Sequence, residues 1–380
     1  MEIETLVRTT SHGEWILLSL FFIAFLVQML YYLLVYLRLP LYRAPSRKKS
    51  TRPLSVVICA RNEAEYLEHF LPAVLEQDYP EFEVVVVNDR STDRTEEVLA
   101  LLAEKYPGLR FTGIPTSGKH APGKKLALTV GIKSARHDHL VLTDADCYPV
   151  SDQWLKRMAS HFSRKRKIVL GYGGYERKKG LLNLLIRYET VFTAIQYFSF
   201  AIKGKPYMGV GRNLAYEKEL FFENRGFARH YHLASGDDDL FVNETATEEN
   251  TALELTPEAR TLSVPESSIV SWIKQKQRHL TAGGHYRTGS RINIGGELIS
   301  RVFLYASFII LCAGSTWRWP VIAVFGVLLI TRLIVFKLGM DRLSESDLLL
   351  PSLLFDPIMP LILGGIWISN IFVTRYQPWN

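Results

Sequence analysis

The chain has 380 residues, 48% of them hydrophobic and 22% charged, with 45 Lys+Arg against 38 Asp+Glu and a formal net charge of +7. This size and balance exclude a small stapled scaffold, a collagen-like repeat and a disordered chain, and leave room for about two domains. Three scattered cysteines, Cys59, Cys147 and Cys312, are too few for a disulfide framework or a zinc site and read as small buried hydrophobes.

From Trp15 to Leu37 no residue carries a formal charge. At about 1.5 Å per residue this run spans roughly 34 Å as a helix, enough to cross a bilayer core. The segment before it holds Glu2, Glu4, Arg8 and Glu14, unlike the basic leader of a signal peptide. After it come Arg38, Arg43, Arg47, Lys48, Lys49 and Arg52 with no acid among them, which predicts that the next domain faces the cytosol. Apolar runs return at 302–314, 320–336 and 348–373, predicting two or three further passes. Pro351, Asp356, Pro357 and Pro360 in the last run predict a kinked or interfacial piece followed by a span. The expected organisation is a tail over 1–14, a transmembrane helix over 15–37, a basic linker over 38–52, a cytosolic domain over 53–298 and a C-terminal membrane region over 299–380. Because the basic residues lie beside apolar spans, the positive charge points to a membrane surface and away from nucleic acid.

Within the polar middle, Leu54–Cys59, Phe82–Val87 and His139–Thr143 are short β-branched runs bounded by turns, as in strands buried on both faces of a parallel sheet. Between them, Leu67, Phe70, Leu71, Val74 and Leu75 keep helical spacing, interrupted only by Pro72. Asp93 with Glu96 reads as a capping box for the helix carrying Val98, Leu99, Leu101 and Leu102, and Lys124–Ser134 reads as another helix. Strand and helix in alternation specify an open, mostly parallel α/β sheet, whose ligands bind beyond the carboxyl ends of the strands.

Each strand gives way to a polar run: Ala60-Arg61-Asn62-Glu63 after the first, Asn88-Asp89-Arg90-Ser91-Thr92-Asp93 after the second, and Asp144-Ala145-Asp146 after the third. Two carboxylates one residue apart at a strand end suit Mg²⁺ or Mn²⁺, which keeps part of its shell for phosphate oxygens. Lys124 or Lys125, after Pro122-Gly123, can reach the same phosphates. The long apolar stretch Leu181–Ile202 reads either as a helix buried against the sheet or as an interfacial helix with aromatics at the acyl boundary, and Trp272 with the cations after it could sit there too.

These residues resemble the family 2 glycosyltransferases, inverting enzymes of GT-A fold that use nucleotide-diphospho-sugars. The resemblance assigns Ala60, Arg61, Asn62, Glu63 and Asp89 to the nucleoside side of the donor, Lys124 to its diphosphate, and Asp144 and Asp146 to the Asp-x-Asp metal motif. Downstream, Gly209-Val-Gly211-Arg-Asn213-Leu-Ala-Tyr216 is similar to the loop beneath donor sugar and acceptor. Gly236-Asp237-Asp238-Asp239-Leu240 is similar to the segment holding the catalytic base, with Asp237 favoured and Asp238 its rival. Gln275-Lys-Gln-Arg278-His279 resembles the Gln-x-x-Arg-Trp motif of membrane-bound polysaccharide synthases, with His279 where those enzymes carry Trp. The resemblance implies a metal-dependent, membrane-anchored enzyme of the inner membrane, passing sugar from a nucleotide-sugar donor to a lipid-linked or cell-envelope glycan acceptor. A processive polysaccharide synthase is the rival within the family; a noncatalytic nucleotide-binding protein and a nucleotidyltransferase are the rivals outside it.

Overall fold

The computed structural model describes residues 10–44, 50–115 and 123–372. Glu2, Glu4 and Arg8, the basic residues Arg47, Lys48 and Lys49, Pro122, and the chain from Val373 onward lie outside them. The backbone divides into two compact units, Met1–Tyr42 with Thr288–Gly365, and Arg43–Arg287 with Ile366–Asn380.

Helix α1 (His12–Leu41) opens the first unit; the Ser11 hydroxyl accepts from the Glu14 amide at its start, and a π-helical turn runs over Tyr32–Tyr36. The second unit begins with β1 (Leu54–Ala60), α2 (Ala64–Leu75), β2 (Phe82–Asn88), α3 (Thr95–Lys105), β3 (Leu109–Gly113), α4 (Lys124–Ser134) and β4 (His139–Leu142). The first four strands are parallel, with Leu54 opposite both Phe82 and His139. Val56, Ile58, Val84, Val86 and Val141 of this ladder are fully enclosed, as expected of strands covered on both faces. Helix α2 runs through Pro72, presenting Leu67, Leu71 and Val74 to that core.

The chain continues through β5 (Cys147–Pro149), α5 (Trp154–Ala159), β6 (Ile168–Gly171), β7 (Gly173–Tyr175), α6 (Leu181–Ile202), β8 (Leu214–Glu217), α7 (Lys218–Glu223), α8 (Asp239–Thr245), β9 (Thr251–Glu254), β10 (Thr261–Ser263) and α9 (Ile269–Gly283). The main sheet has the order β3-β2-β1-β4-β8-β6-β9, β8 running antiparallel to both its neighbours, and a second sheet has the order β5-β10-β7.

One expectation changes here and one pair of alternatives is decided. Asp93 forms no capping box with Glu96. Its carboxylate accepts from the Thr95 amide (3.1 Å) and hydroxyl (2.6 Å) and from the Ala64 amide (3.1 Å), so one side chain serves the unpaired donors at the starts of both α3 and α2. Helix α6 is a packed helix rather than an interfacial one. Tyr188, Tyr197, Phe198 and Phe200 are enclosed, the Tyr197 hydroxyl donates to the Gly171 carbonyl (3.1 Å), and Trp272 of α9 is enclosed as well.

After these come α10 (Thr288–Gly314), α11 (Arg318–Arg342) and α12 (Leu349–Phe372), which with α1 make, among the described residues, four helices long and apolar enough to cross a membrane. The last proline-bearing run is one helix. Its Asp356 is buried and paired: it meets Arg301 (3.1 Å) and Arg332 (3.4 Å) and accepts from the Tyr305 hydroxyl (2.5 Å). Glu297 lies 3.4 Å from Arg301, and Gln28 of α1 donates to the Glu297 carbonyl and the Ser300 hydroxyl, both at 2.9 Å. Charges inside an apolar helix set are tolerated only in such partnership.

Candidate active site

The parallel register brings three polar loops to one edge of the main sheet. Ala60 ends β1 opposite Asn88 at the end of β2, and β4 stops at Leu142 opposite Val57, so residues 60–63, 88–93 and 143–146 emerge side by side. The first two loops are laced together: the Asn62 side-chain oxygen accepts from the Thr92 amide (2.8 Å), and the Asn62 amide donates to the Ser91 hydroxyl (2.9 Å). Asn62 (φ 57°) and Arg90 (φ 56°) hold left-handed backbone, which costs a non-glycine residue free energy and clusters at functional sites. Asp89 is enclosed. One of its oxygens pairs with Arg90 (2.9 Å) and the other accepts from the Gly123 amide (3.0 Å), which fixes the start of α4 at this edge.

At that start Lys124 reaches the site carboxylates and Lys125, though buried, does not. The Lys124 ammonium bridges Asp144 (2.8 Å) and Asp237 (3.1 Å), whereas Lys125 donates to the carbonyls of His230 (2.5 Å) and Leu233 (3.0 Å). Lys124 therefore carries charge into the site, while Lys125 holds the backbone that leads to the acidic turn. Around Lys124 lies a cavity lined by Cys59, Thr143, Asp144, Gly211, Asp237 and Asp238.

The two acids of the turn have opposite surroundings. Asp237 is buried, yet the Lys124 charge holds its carboxyl below the ordinary carboxylate range. Asp238 accepts the Gly211 amide (2.6 Å) on one oxygen and caps α8 through the Asp239 amide (2.7 Å) on the other. Burial, reinforced by the Asp237 charge, pushes its carboxyl up to about 6. Asp239 points away from this cavity lining, accepts from the Tyr286 hydroxyl (2.6 Å), and is pushed up to about 7 by burial and the Asp238 charge.

Asp144, Asp146 and Cys147 bring ligand atoms within 4.8 Å of one another. Asp146 accepts from the Ser263 hydroxyl (2.6 Å) of β10, and its carboxyl is raised by burial and by the like charge of Asp144. Glu63 feels the same pair: burial first, then Asp146 and Asp144, push its carboxyl up to about 8. Crowded carboxylates of this kind fit a hard divalent cation, which would relieve their repulsion. Burial and the neighbouring acids push the Cys147 thiol up, so it stays protonated and the oxygens are the ligands that fit.

Gly211 lines the cavity, but Asn213 does not. Its amide donates to the carbonyls of Tyr172 (3.0 Å) and Ala259 (2.8 Å), its oxygen accepts from the Trp154 indole (3.0 Å), and it is fully enclosed. Gly171 makes room for it, since a Cβ there would fall 2.5 Å from the Asn213 side chain. Asn213 thus braces the loop from behind. Helix α9 is tied to the acidic turn by the Ser235 hydroxyl, which donates to the Arg278 carbonyl (2.8 Å). Gln275 donates to Glu266 at 3.4 Å. His279 keeps solvent access, yet desolvation and the cations Lys276, Arg278, Arg212 and Lys124 hold its imidazole well below its ordinary pKa, so it is neutral at pH 7.

Two residues that sequence reasoning did not place in the site now belong beside it. Cys59, the penultimate residue of β1, lines the cavity. Arg212 lies over the Tyr175 ring at 4.3 Å, and its charge acts on Asp144 and Asp146. A cation between the motif positions Gly211 and Asn213 was the only signal in the sequence for Arg212.

The profile described as "Glycosyl transferase family 2" matches residues 55–222. Poly-beta-1,6-N-acetyl-D-glucosamine synthase of Staphylococcus epidermidis is 26% identical over 155 residues, which are 40% of this chain and 36% of that protein. Glycosyltransferase AglE of Haloferax volcanii is 35% identical over 117 residues, 30% of this chain and 37% of its own. The shared stretch thus spans little more than a third of the length of these relatives. The mannosyltransferase PcManGT from Pyrobaculum calidifontis, solved in complex with GDP-Man and Mn²⁺, superposes with a TM-score of 0.62 over 95% of this chain and 99% of its own, at 19% identity, a likeness of fold.

Proposed function

Residues 55–222 belong to glycosyl transferase family 2, and on that premise we propose that the chain is a membrane-anchored, metal-dependent inverting transferase that takes sugar from a nucleotide-diphospho-sugar. The observation that carries the reading is the bridging of Asp144 and Asp237 by the single Lys124 ammonium in a cavity that Asp238 also lines. Asp144 and Asp146 would hold Mg²⁺ or Mn²⁺, which when bound supplies charge neutralisation to a leaving diphosphate. Lys124, now shared between two carboxylates, turns to the diphosphate as a second cation. Asp89 and the laced loop 60–63 take the nucleoside. Asp238 removes the proton of the acceptor hydroxyl as that oxygen attacks the anomeric carbon. We favour it over Asp237 because its carboxyl sits nearer neutrality, whereas Lys124 weakens Asp237 as a base.

The four long apolar helices support a membrane location, and the basic residues that follow α1 support a cytosolic catalytic domain. An acceptor presented at the membrane, a lipid-linked glycan or an envelope polysaccharide, follows from that anchoring. The tie between α9, bearing Gln275 and Arg278, and the acidic turn favours a second reading, a processive synthase, and the Staphylococcus epidermidis relative is by name a synthase of a polymer. The test is transfer by the full chain in detergent from a panel of nucleotide-sugars, with and without Mn²⁺, followed by product sizing. A single added sugar supports the first reading and a ladder the second; sugar transfer in neither form, with pyrophosphate released when a nucleoside triphosphate and a sugar 1-phosphate are supplied instead, would make the chain a nucleotidyltransferase.

A further inference from the structure

The backbone of Arg212 is fixed from both sides. Its carbonyl accepts from the hydroxyls of Thr143 (3.0 Å) and Thr261 (2.9 Å), the preceding Gly211 amide donates to Asp238, and the following Asn213 is clamped by Trp154, Tyr172 and Ala259. Its side chain crosses the small sheet over Gly173, where a Cβ would come 2.8 Å from the Arg212 Cβ and 3.3 Å from its Nε, and ends over the Tyr175 ring. Tyr175 is opposite Ser263 in the β7–β10 ladder, and Ser263 is in turn opposite Cys147 and donates to Asp146. The guanidinium therefore rests on the small sheet whose β5 directly follows Asp146 and whose β10 holds the Asp146 carboxylate through Ser263. Among the described residues it makes neither a side-chain hydrogen bond nor an ion pair. A guanidinium over a ring face spends no N–H donor on that contact, which leaves its planar fork able to grip two phosphate oxygens at once.

We propose that Arg212 is an anion-binding residue of the active site, its guanidinium fork, held over Tyr175, engaging phosphate oxygens of a phosphorylated ligand on the side of Asp144–Asp146 where the fork finds no protein acceptor. The inference rests on the transferase reading above. Phosphate of this kind has two sources there, the diphosphate of the donor nucleotide and the phosphate of a polyprenyl-linked acceptor. The role is positional and electrostatic, and no bond is made or broken at Arg212.

Arg212→Lys and Arg212→Met test it in the full chain in detergent with Mn²⁺, with titrations of UDP, GDP and inorganic pyrophosphate by calorimetry and with KM measured for a polyprenyl monophosphate acceptor. Loss of charge-assisted hydrogen bonds predicts binding weakened about tenfold to a hundredfold in Arg212→Met, and also in Arg212→Lys because the charge remains without the fork. Uridine and guanosine, which lack phosphate, should bind all three proteins alike. A loss in diphosphate affinity assigns the fork to the donor, and a loss confined to the acceptor KM assigns it to the acceptor. Thermal unfolding of Arg212→Lys, matched to the wild type, separates binding from folding. Unchanged diphosphate affinity and acceptor KM in a folded variant would overturn the role of Arg212 alone. A wild type that binds none of these diphosphates would overturn the reading of the site itself, and this proposal with it.

Discussion

Replacing Asp237 by Asn separates the two acids of the turn. If Asp238 takes the acceptor proton, kcat/KM must fall as pH drops through the range where Asp238 becomes protonated, about 6 in the surroundings found here. A base with that pKa is ionised in about ten molecules of eleven at pH 7 and about one of eleven at pH 5, so the rate falls about tenfold between them. A divalent ion held by Asp144 and Asp146 would add positive charge and draw the limb to lower pH. In Asp237→Asn a like charge that raises Asp238 disappears, and Lys124, which lowers it, loses a competing partner. Both changes move the acidic limb down. A displacement of one unit is about 1.4 kcal/mol, well within the about 4 kcal/mol that two charges 4 Å apart exchange at an effective dielectric of 20. The assay is kcat/KM for sugar transfer from pH 4.5 to 8 in wild type, Asp237→Asn and Asp238→Asn, the last expected to lose about 10²- to 10⁴-fold. Turnover lost in Asp237→Asn and kept in Asp238→Asn would refute the assignment and give the base role to Asp237.

Asp146→Ala should reduce transfer to background and flatten a Mn²⁺ binding titration, since it leaves Asp144 as the single carboxylate of the Asp-x-Asp pair; transfer that still responds to Mn²⁺ would remove the metal from this site. Asn213→Ala strands the Ala259 carbonyl and the Trp154 indole N–H in an enclosed pocket, at about 1–3 kcal/mol each, and leaves the Tyr172 carbonyl with the Thr261 amide alone, so the variant should unfold at markedly lower denaturant; a near-native midpoint contradicts its bracing role. Asp356→Ala leaves Arg301 and Arg332 without their shared carboxylate and should cost about 3–5 kcal/mol, read as a lowered thermal midpoint in detergent. An unchanged midpoint there would mean that the ionic layer among α10, α11 and α12 adds nothing to their assembly.

Local sequence determined the element types. Val56, Val57 and Ile58, or Val84 to Val87, have β-branched side chains on both faces, which only a doubly covered strand accommodates, and their alternation with helices left one class of sheet. The Asp-x-Asp pair and the loops after β1 and β2 were legible for the same reason, because strand ends of a parallel sheet place their succeeding residues at one edge. Asp93 was legible as a cap but not as the cap of two helices, since its second partner, the Ala64 amide, lies 29 residues earlier. The choice between Lys124 and Lys125 could not be made from adjacency; only the packed direction of α4 sends one to carboxylates and the other to the carbonyls of His230 and Leu233. Asn213 and Arg212 exchanged expected places for a similar reason: the short turn after Gly211 points its amide into the core and its guanidinium over Tyr175, a ring brought there by strand pairing alone. Pairing across β5, β10 and β7 joins residues far apart in the chain, Cys147 with Ser263 among them, and contacts of that range depend on the whole chain having folded.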